Sequence, residues 1–449
     1  MNYLKILSSG FFIFFINFAN SQTINLSTGA SGYGLVCPVI KSKAPSFSKP
    51  SIVVDVLEPP SDEEVAALNL PQEPDFHNET LSPLLAKLNS SPLRIGLWGD
   101  SHAAARFFSD ELIKSFVANP ENVLPTFIPP LMGRSGVRLP VNKVCVGPAW
   151  KYEYAYRGSA GVEFSRGLAK MTSSVGDSYI WVDFGRAKND AKLKSLDILY
   201  TITASESPAT ISLSIDGGPE QELLLNKSNL GLVKINSDNS FSVLKLRLVK
   251  GSISIDGFIP EFTKAAGVYF DTFGIPGATG LSWKNISPGH FLAHGMGAYD
   301  LIIFEYGTNE GNQRPFNLAL YSENLKAQLA NMRQIYPDSA CILIGPTDRG
   351  ILVKRSRKKS KQQSASPNDL LTFSKVHYEI SQAQKNIGNS YGCSFWNWQD
   401  EMGGVGGAYR WVRHSPPLMA RDLTHLTVDG YQKSARDFSK SFQLMNLNK

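Results

Sequence analysis

A serine stands where an apolar run meets a helical pattern, in the segment Gly99-Asp100-Ser101-His102. The run at 95–98 is typical of a short buried strand. The apolar residues after it recur at helical spacing: Phe108, Leu112 and Phe116. We therefore expect the Ser101 hydroxyl at the carboxyl end of a strand and beside a helix N-terminus, where developing negative charge is stabilised. A plain Asp/Ser helix cap is the alternative interpretation.

A serine nucleophile needs a base, and the segment Asp422-Leu423-Thr424-His425 offers one near the C-terminus. A serine hydroxyl reacts weakly at neutral pH unless a histidine takes its proton and a carboxylate orients that histidine. A spacing of three at the start of the last helix predicts that Asp422 reaches one imidazole nitrogen of His425. Taken alone, such a pair is more often a surface feature.

Two further segments offer hydrogen-bond donors for an oxyanion. Asn309 follows the apolar run at 301–304, and its side-chain amide can donate to negative charge at the end of that strand. Gly277 lies in the segment 273–278, and its backbone amide can approach a ligand because no Cβ intervenes. Asn309 alone would be an ordinary turn residue.

These residues must be positioned by strands that alternate with helices. Strand-like runs begin at Cys341 and Cys393, and helical patterns cover 318–332, 370–387 and the chain from Thr427 onward. This alternation predicts an α/β fold with a parallel sheet. Within 150–262 the apolar period becomes two, which predicts an inserted all-β sandwich of about 110 residues. The α/β domain would then be discontinuous, at 81–149 and 263–449.

The four segments, in chain order, resemble the four signature blocks of the SGNH/GDSL hydrolases: Gly-Asp-Ser, a block ending in Gly, Gly-x-Asn and Asp-x-x-His. The resemblance covers the α/β halves and implies a three-layer α/β/α fold. It also implies a nucleophile, a base and an orienting acid, which are Ser101, His425 and Asp422. The implied oxyanion donors are the Ser101 and Gly277 backbone amides and the Asn309 side chain. The family's third block commonly ends in Asp where this chain has Glu310, which we expect to alter loop packing more than chemistry.

A β-sandwich between the first two blocks looks like the bacterial peptidoglycan O-acetylesterases, whose insert resembles a carbohydrate-binding module of jelly-roll type. This narrower resemblance implies a serine esterase that deacetylates a glycan, with acetylated peptidoglycan as the expected substrate. The alternatives are a glycan O-acetyltransferase, an acetylxylan-type esterase or a lipid esterase with the same triad. A non-catalytic glycan-binding protein is the alternative from another class. The sequence leaves the oligomeric state and sugar binding by the insert open.

The N-terminus has the features of an export signal at 1–21: Lys5, an apolar stretch at 6–18 and a small-x-small site before Gln22. An uncleaved membrane anchor is the alternative. Later stretches are not apolar enough to span a bilayer, so we expect a periplasmic or extracellular protein. Frequent Pro, Ser and Gly at 22–80 predict an irregular lead-in segment.

Export permits disulfide bonds, and four cysteines allow three complete pairings. Cys341 and Cys393 each open an apolar run, and adjacent strands can bring them within bridging distance. We therefore predict a Cys341–Cys393 bond, which leaves Cys37 with Cys145.

The net charge of +6 is a mild excess that does not indicate nucleic-acid binding. Six basic residues at 354–361 account for most of it; they predict a solvated loop, with binding of an anionic polymer as the weaker alternative. His102, His290 and His294 lack zinc-ligand spacing, so we expect no metal and no cofactor. A cluster of tryptophans near the expected site either lines a sugar cleft or belongs to the core: Trp396, Trp398 and Trp411.

Overall fold

The computed structural model describes residues 20–29, 32–38, 61–66, 92–158, 163–185, 191–203, 205–293, 299–352, 370–442 and 444. The first 19 residues of the expected export signal, the basic run at 354–361 and His294 lie outside these ranges. Among the residues described, no helix combines the length and the apolar character that crossing a membrane requires.

The strands and helices are as follows in chain order. The strands are β1 Asn20–Asn25, β2 Leu93–Gly99, β3 Val123–Leu124, β4 Lys143–Val146, β5 Lys151–Tyr154, β6 Ala169–Ser173, β7 Tyr179–Asp183, β8 Leu193–Ile202, β9 Ala209–Ile215, β10 Gln221–Leu225, β11 Ser228–Phe241, β12 Val243–Lys250, β13 Ile253–Phe262, β14 Val268–Gly274, β15 Leu301–Glu305, β16 Ala340–Ile344 and β17 Cys393–Trp396. The α-helices are α1 Asp62–Ala66, α2 Ser101–Ala104, α3 Phe107–Phe116, α4 Leu281–Lys284, α5 Pro288–Ala293, α6 Leu318–Ile335, α7 Thr372–Ser390, α8 Trp398–Glu401, α9 Gly407–Arg413 and α10 Val428–Ser441.

One sheet has six parallel strands in the order β17-β16-β15-β2-β14-β3. Side chains alternate along its central strand β2, because successive Cβ atoms of a strand point to opposite faces. Ile95 and Leu97 enter a core with residues of α3 and α10, whereas Trp98 enters a second core with residues of α6. Helices therefore cover both faces, and the predicted three-layer α/β/α arrangement is confirmed.

Two other sheets form a β-sandwich, with strand orders β1-β11-β8-β13-β6-β5 and β10-β9-β12-β7-β4. Their inward faces share one apolar core, to which Ile198, Leu213 and Leu246 contribute with less than 2% of their surface exposed. Every pairing in the two sheets is antiparallel except that of β1 with β11. The all-β region that the period-two pattern predicted is thus a sandwich.

The sandwich also uses chain outside 150–262. β1 includes the last two residues of the expected export signal and the first four of the segment that we expected to be irregular, and it pairs with β11 from Asn20↔Gly231 to Asn25↔Asn236. β4 precedes residue 150 and pairs with β7. Both strands are short, and Ile24 is the one buried apolar side chain within the polar β1, so their period-two signal is weak.

Two disulfide bonds join distant segments. Cys341 and Cys393 are directly opposite each other on β16 and β17, with 4.5 Å between their Cα atoms. The second bond joins Cys37, in the N-terminal segment, to Cys145 on β4. Both predicted pairings are therefore present, and the second one fastens the N-terminal segment to the sandwich.

Candidate active site

Ser101 is the first residue of α2, directly after the central strand β2. Asp100 caps this short helix, because its carboxylate accepts a hydrogen bond from the backbone N–H of His102 at 2.9 Å. A Cβ at Gly99 would lie 2.6 Å from the carboxylate of Glu305 on the neighbouring strand. The tight turn therefore fixes Ser101 at the carboxyl end of the sheet, as the sequence predicted.

His425 and Asp422 approach Ser101 from the loop before α10. Ser101 Oγ lies 3.0 Å from His425 Nε2, and Asp422 Oδ2 accepts a hydrogen bond from His425 Nδ1 at 2.7 Å. The other oxygen, Oδ1, accepts the backbone N–H groups of Thr424 and His425 at 3.0 and 2.9 Å. The structure thus brings the three residues of the expected triad into one hydrogen-bonded chain.

The helical start expected for Asp422 and His425 is wrong, because α10 begins only at Val428. Leu423 between them has a φ of 54°, a left-handed conformation that a residue with a Cβ adopts at some cost. Its side chain is 1% exposed in the α/β core, and its carbonyl accepts the Gly350 N–H at 3.0 Å. Burial of Leu423 thus offsets the strain of the turn that aims the two polar side chains.

The Asp422–His425 contact shifts the pKa values of both groups toward their charged forms. Partial burial opposes the shift at Asp422, but hydrogen bonds from the His425 side chain and from two backbone N–H groups lower its pKa to about 2. The hydrogen bond with Asp422 raises the pKa of His425 above its ordinary value, although burial acts against it. Asp422 is therefore ionised at neutral pH and stabilises a protonated His425.

The two expected oxyanion residues follow strands on either side of β2. β14 pairs with β2 up to Gly274↔Gly99 and leads to Gly277, which is exposed and has a φ of 86°. β15 pairs with β2 up to Glu305↔Gly99 and leads to Asn309. Because the carboxyl ends of adjacent parallel strands meet at one edge, both segments border Ser101.

Both hydrogens of the Asn309 amide are engaged in the structure. The amide donates to Asp100 Oδ2 at 3.1 Å and to the carbonyl of Ala278 at 2.9 Å. These bonds fix the amide between the serine turn and the Gly277 loop. One of them must be released or shared when the amide donates to an oxyanion.

Glu310, where the family commonly has Asp, joins the two oxyanion loops. Its carboxylate accepts the backbone N–H of Gly280 at 2.8 Å and that of Gly307 at 3.1 Å. Burial raises its pKa to about 7, although these bonds favour the ionised form. The longer side chain therefore acts on loop packing, in keeping with the expectation from sequence.

A buried carboxyl pair that sequence reasoning missed lies beneath the serine. Glu305 Oε2 accepts the backbone N–H of Asp100 at 3.1 Å, and both side chains are buried. Burial raises the pKa of Asp100 to about 6, and burial together with nearby Asp100 raises that of Glu305 well above its ordinary value. The available signal was a single glutamate that closes an otherwise apolar strand.

His102 is buried behind the triad. Its Nδ1 lies 3.0 Å from the hydroxyl of Tyr431, and its ring centre is 5.4 Å from that of His425. Burial and the nearby His425 lower its pKa to about 3, so it is neutral when His425 works as a base. Its ring packs against Trp398 and Tyr431. The described residues contain no group of His, Cys, Asp or Glu arranged to hold a metal ion.

The three tryptophans do not line a sugar cleft. Trp396, Trp398 and Trp411 are 5%, 0% and 7% exposed and belong to the α/β core. Trp398 also donates its indole N–H to Ser434 Oγ at 2.8 Å. Trp396 lies on β17, Trp398 opens α8 and Trp411 lies on α9, and all three rings are buried in the core shared with α10, so the cleft interpretation is wrong.

Aromatic residues of the sandwich reach the site instead. Tyr152, Tyr154 and Tyr156 follow one another at the end of β5, with ring centres 6.5 and 5.6 Å apart. A Cβ at Gly277 would lie 3.5 Å from the Tyr156 hydroxyl, and Arg157 stands over the rings of Tyr154 and Tyr156. The sandwich thus contributes an aromatic ladder beside the oxyanion loop, which the sequence did not reveal.

The six-stranded parallel sheet between helices, with Ser101 at its carboxyl edge, is the α/β/α fold that the resemblance to the SGNH/GDSL hydrolases implies, and a β-sandwich lies alongside it. No family model and no curated protein matches the chain. A solved structure described as a peptidoglycan O-acetylesterase is similar, with a TM-score of 0.58, 18% identity, and coverage of 81% of this chain and 95% of that one.

Two family-two carbohydrate esterases also match over part of the chain. The one from Cellvibrio japonicus has a TM-score of 0.26 and 11% identity, covering 68% of this chain and 98% of that one. The one from Clostridium thermocellum has a TM-score of 0.25 and 10% identity, covering 66% and 100%.

Proposed function

We propose that this protein is an exported serine esterase that removes O-acetyl groups from a glycan, with acetylated peptidoglycan as its substrate. The observation that carries the proposal is the chain of contacts from Ser101 Oγ to His425 Nε2, at 3.0 Å, and from His425 Nδ1 to Asp422 Oδ2, at 2.7 Å. An isolated serine, histidine or carboxylate has many uses, but this ordered chain activates a hydroxyl for attack on a carbonyl.

The reaction begins when His425 Nε2 takes the Ser101 proton and Oγ bonds to the acetyl carbonyl carbon. The oxyanion accepts hydrogen bonds from the backbone amides of Ser101 and Gly277 and from the Asn309 side chain. His425 then gives its proton to the sugar oxygen as that bond breaks, which leaves acetyl-Ser101. Water, deprotonated by His425, releases acetate and restores the serine.

The preference for a glycan is supported by two features. The similar solved structure is described as a peptidoglycan O-acetylesterase. Tyr156, the half-buried last ring of the tyrosine ladder, also lies next to Gly277, where a polymer held by the sandwich would present its acetyl group to Ser101. Export to the periplasm or the cell exterior, where such a polymer lies, belongs to the same proposal.

The test measures acetate release by the purified protein from O-acetylated peptidoglycan, acetylated xylan and long-chain acyl esters. We expect peptidoglycan to be hydrolysed fastest and Ser101→Ala to release no acetate while keeping the fold. Preference for xylan or for long acyl chains would retain the esterase chemistry and overturn the substrate. Transfer of the acetyl group to an added sugar acceptor in place of water would identify a transferase. If no ester is turned over, the protein is better interpreted as a non-catalytic glycan-binding protein.

A further inference from the structure

A cavity lies between the parallel sheet and the sandwich, at the opposite end of the sheet from the triad. Its volume is about 630 Å³, which is within the range of small-molecule sites. Arg94 and Tyr269 line it from the amino ends of β2 and β14, where they are register partners. Gly99 is five positions beyond Arg94, which is about 17 Å along an extended strand. The cavity is therefore distinct from the site around Ser101.

The lining of this cavity is strongly cationic. Arg94, Arg166, Lys194 and Lys264 line it, together with one carboxylate, Glu261. Both oxygens of that carboxylate are in use, since Oε1 pairs with Lys194 at 2.8 Å and Oε2 accepts the Ser195 hydroxyl at 2.6 Å. The lining thus carries more positive than negative charge, and an anion entering it gains most from Arg94, because Asp271 lies 4.0 Å from Arg166 and partly balances its charge.

The position of the Arg166 guanidinium in the cavity wall is fixed by hydrogen bonds and an ion pair with neighbouring side chains. It is 3% exposed, its Nη1 donates to the Tyr299 hydroxyl at 3.2 Å, and it lies 4.0 Å from Asp271 Oδ2. The Tyr299 hydroxyl in turn donates to Asp271 at 2.5 Å. Among the described residues, the Arg166 Nε finds no hydrogen-bond acceptor. This nitrogen is itself enclosed by protein, so the positive charge of Arg166, and not this donor, acts on a ligand in the cavity.

The cations and the volume of the cavity limit the kind of ligand. Tyr269 lies beneath the Arg94 guanidinium, with 5.7 Å between the ring centre and Cζ, and Tyr299 closes the cavity near Arg166. Because Arg94 lies over the Tyr269 ring and Tyr299 is 3% exposed, the ligand is defined by the cations and by the cavity volume, which admits a sugar ring that bears an acidic group. Arginine binds planar carboxylate and tetrahedral phosphate through paired N–H donors.

We propose that this cavity is a second ligand site, which binds a saccharide-sized anion through its carboxylate or phosphate group. The proposal does not depend on the esterase activity, since Arg94, Arg166 and Tyr269 have no part in the triad. It gives the junction of the two domains a role in recognising acidic ligands. The esterase site at the other edge of the sheet remains open while this cavity is filled.

Isothermal titration calorimetry on the whole protein tests the proposal with glucuronate, glucose 1-phosphate, inorganic phosphate and neutral glucose. We expect the two acidic sugars to bind and glucose not to bind. Tighter binding of glucuronate would indicate a carboxylate site, and tighter binding of glucose 1-phosphate a phosphate site. If inorganic phosphate binds as tightly as glucose 1-phosphate, the sugar ring contributes nothing and the saccharide part of the proposal is wrong. Failure of all three anions to bind would overturn the whole proposal.

Charge variants locate the binding. Arg94→Gln should weaken binding of the acidic sugar about tenfold, because it removes a cation. Glu261→Gln should strengthen binding, because it removes the competing carboxylate. Lys250→Gln, an exposed lysine at the end of β12 outside the cavity, is the matched control and should have no effect. Equal weakening by Lys250→Gln would show general charge attraction and contradict the site. All three variants should hydrolyse a small acetate ester at the wild-type rate.

Discussion

Replacing Asp422 by asparagine tests how the loop before α10 controls the imidazole. Asp422 Oδ1 accepts two backbone N–H groups, at 3.0 and 2.9 Å, and Oδ2 accepts His425 Nδ1 at 2.7 Å. An asparagine can satisfy the two backbone donors only with its amide oxygen, so its NH₂ group must face Nδ1. Nδ1 then becomes an acceptor, and the imidazole proton moves to Nε2.

A proton on Nε2 blocks the reaction at its first step. Nε2 is the atom 3.0 Å from Ser101 Oγ, and once protonated it cannot accept the serine proton. We expect kcat to fall about 10³- to 10⁴-fold, as in triads where the same exchange traps the wrong tautomer. That loss equals about 4–5.5 kcal/mol of transition-state stabilisation. KM should change little, because the hydrogen bonds of Asp422 are to His425 and to two backbone N–H groups and not to the oxyanion donors.

The assay is the initial rate of p-nitrophenyl acetate hydrolysis across the pH range. Asp429→Asn is the matched control, since it removes an exposed carboxylate in the first turn of α10. Circular dichroism and thermal unfolding establish that both variants are folded. A folded Asp422→Asn variant with a rate within tenfold of the wild type would refute the tautomer argument.

Three other predictions follow from contacts around the site. Glu310→Gln should lower kcat about tenfold with KM unchanged, because a side-chain NH₂ would face one of the two backbone N–H donors that join the oxyanion loops; an unchanged kcat would contradict that positioning role. Tyr156→Ala should raise KM for acetylated polymer about fivefold and leave that for a small ester unaltered, since a stacking face is lost; equal effects on both substrates would count against the ladder. Replacing Cys341 and Cys393 together by serine should lower the free energy of unfolding in urea by about 2–4 kcal/mol, because the bond closes a long loop; no change would show that the bond does not form.

The sheet was readable from sequence because its strands are short apolar runs followed by helical patterns. The runs that open at Cys341 and Cys393 predicted neighbouring strands and hence the bond between them, which is present. β1 was not readable, since its six residues are mostly polar and its pairing with β11 spans more than 200 residues of chain. A short polar strand has no local signal, and only the sandwich core around Ile24 defines it.

The candidate site was also only partly predictable from the sequence. The types and chain order of Ser101, Asp422 and His425 indicated the residues, but not the turn that aims them. That turn depends on the left-handed conformation of Leu423. A glycine would have indicated such a conformation in the sequence, whereas for Leu423 the reason is the burial of its side chain. Tyr156 reaches Gly277 from another domain, a contact that no local spacing encodes.

The strand pairing of the sandwich determines which variants can test its role. Excising 150–262 would leave β1 and β4 without their partners β11 and β7 and would expose the core that they help to cover. A loss of activity in such a deletion would therefore report unfolding. Point variants at the tyrosine ladder separate substrate binding from stability and are the better test of the sandwich.

The central claim is that Ser101 is the activated nucleophile, and covalent labelling tests it most directly. Incubation with a fluorophosphonate, which reacts with activated serines, is followed by intact mass and peptide mapping. We expect a single adduct on Ser101, no adduct in Ser101→Ala, and much slower labelling in Asp422→Asn. Labelling of a different serine, or no labelling of protein that still hydrolyses acetate esters, would contradict it.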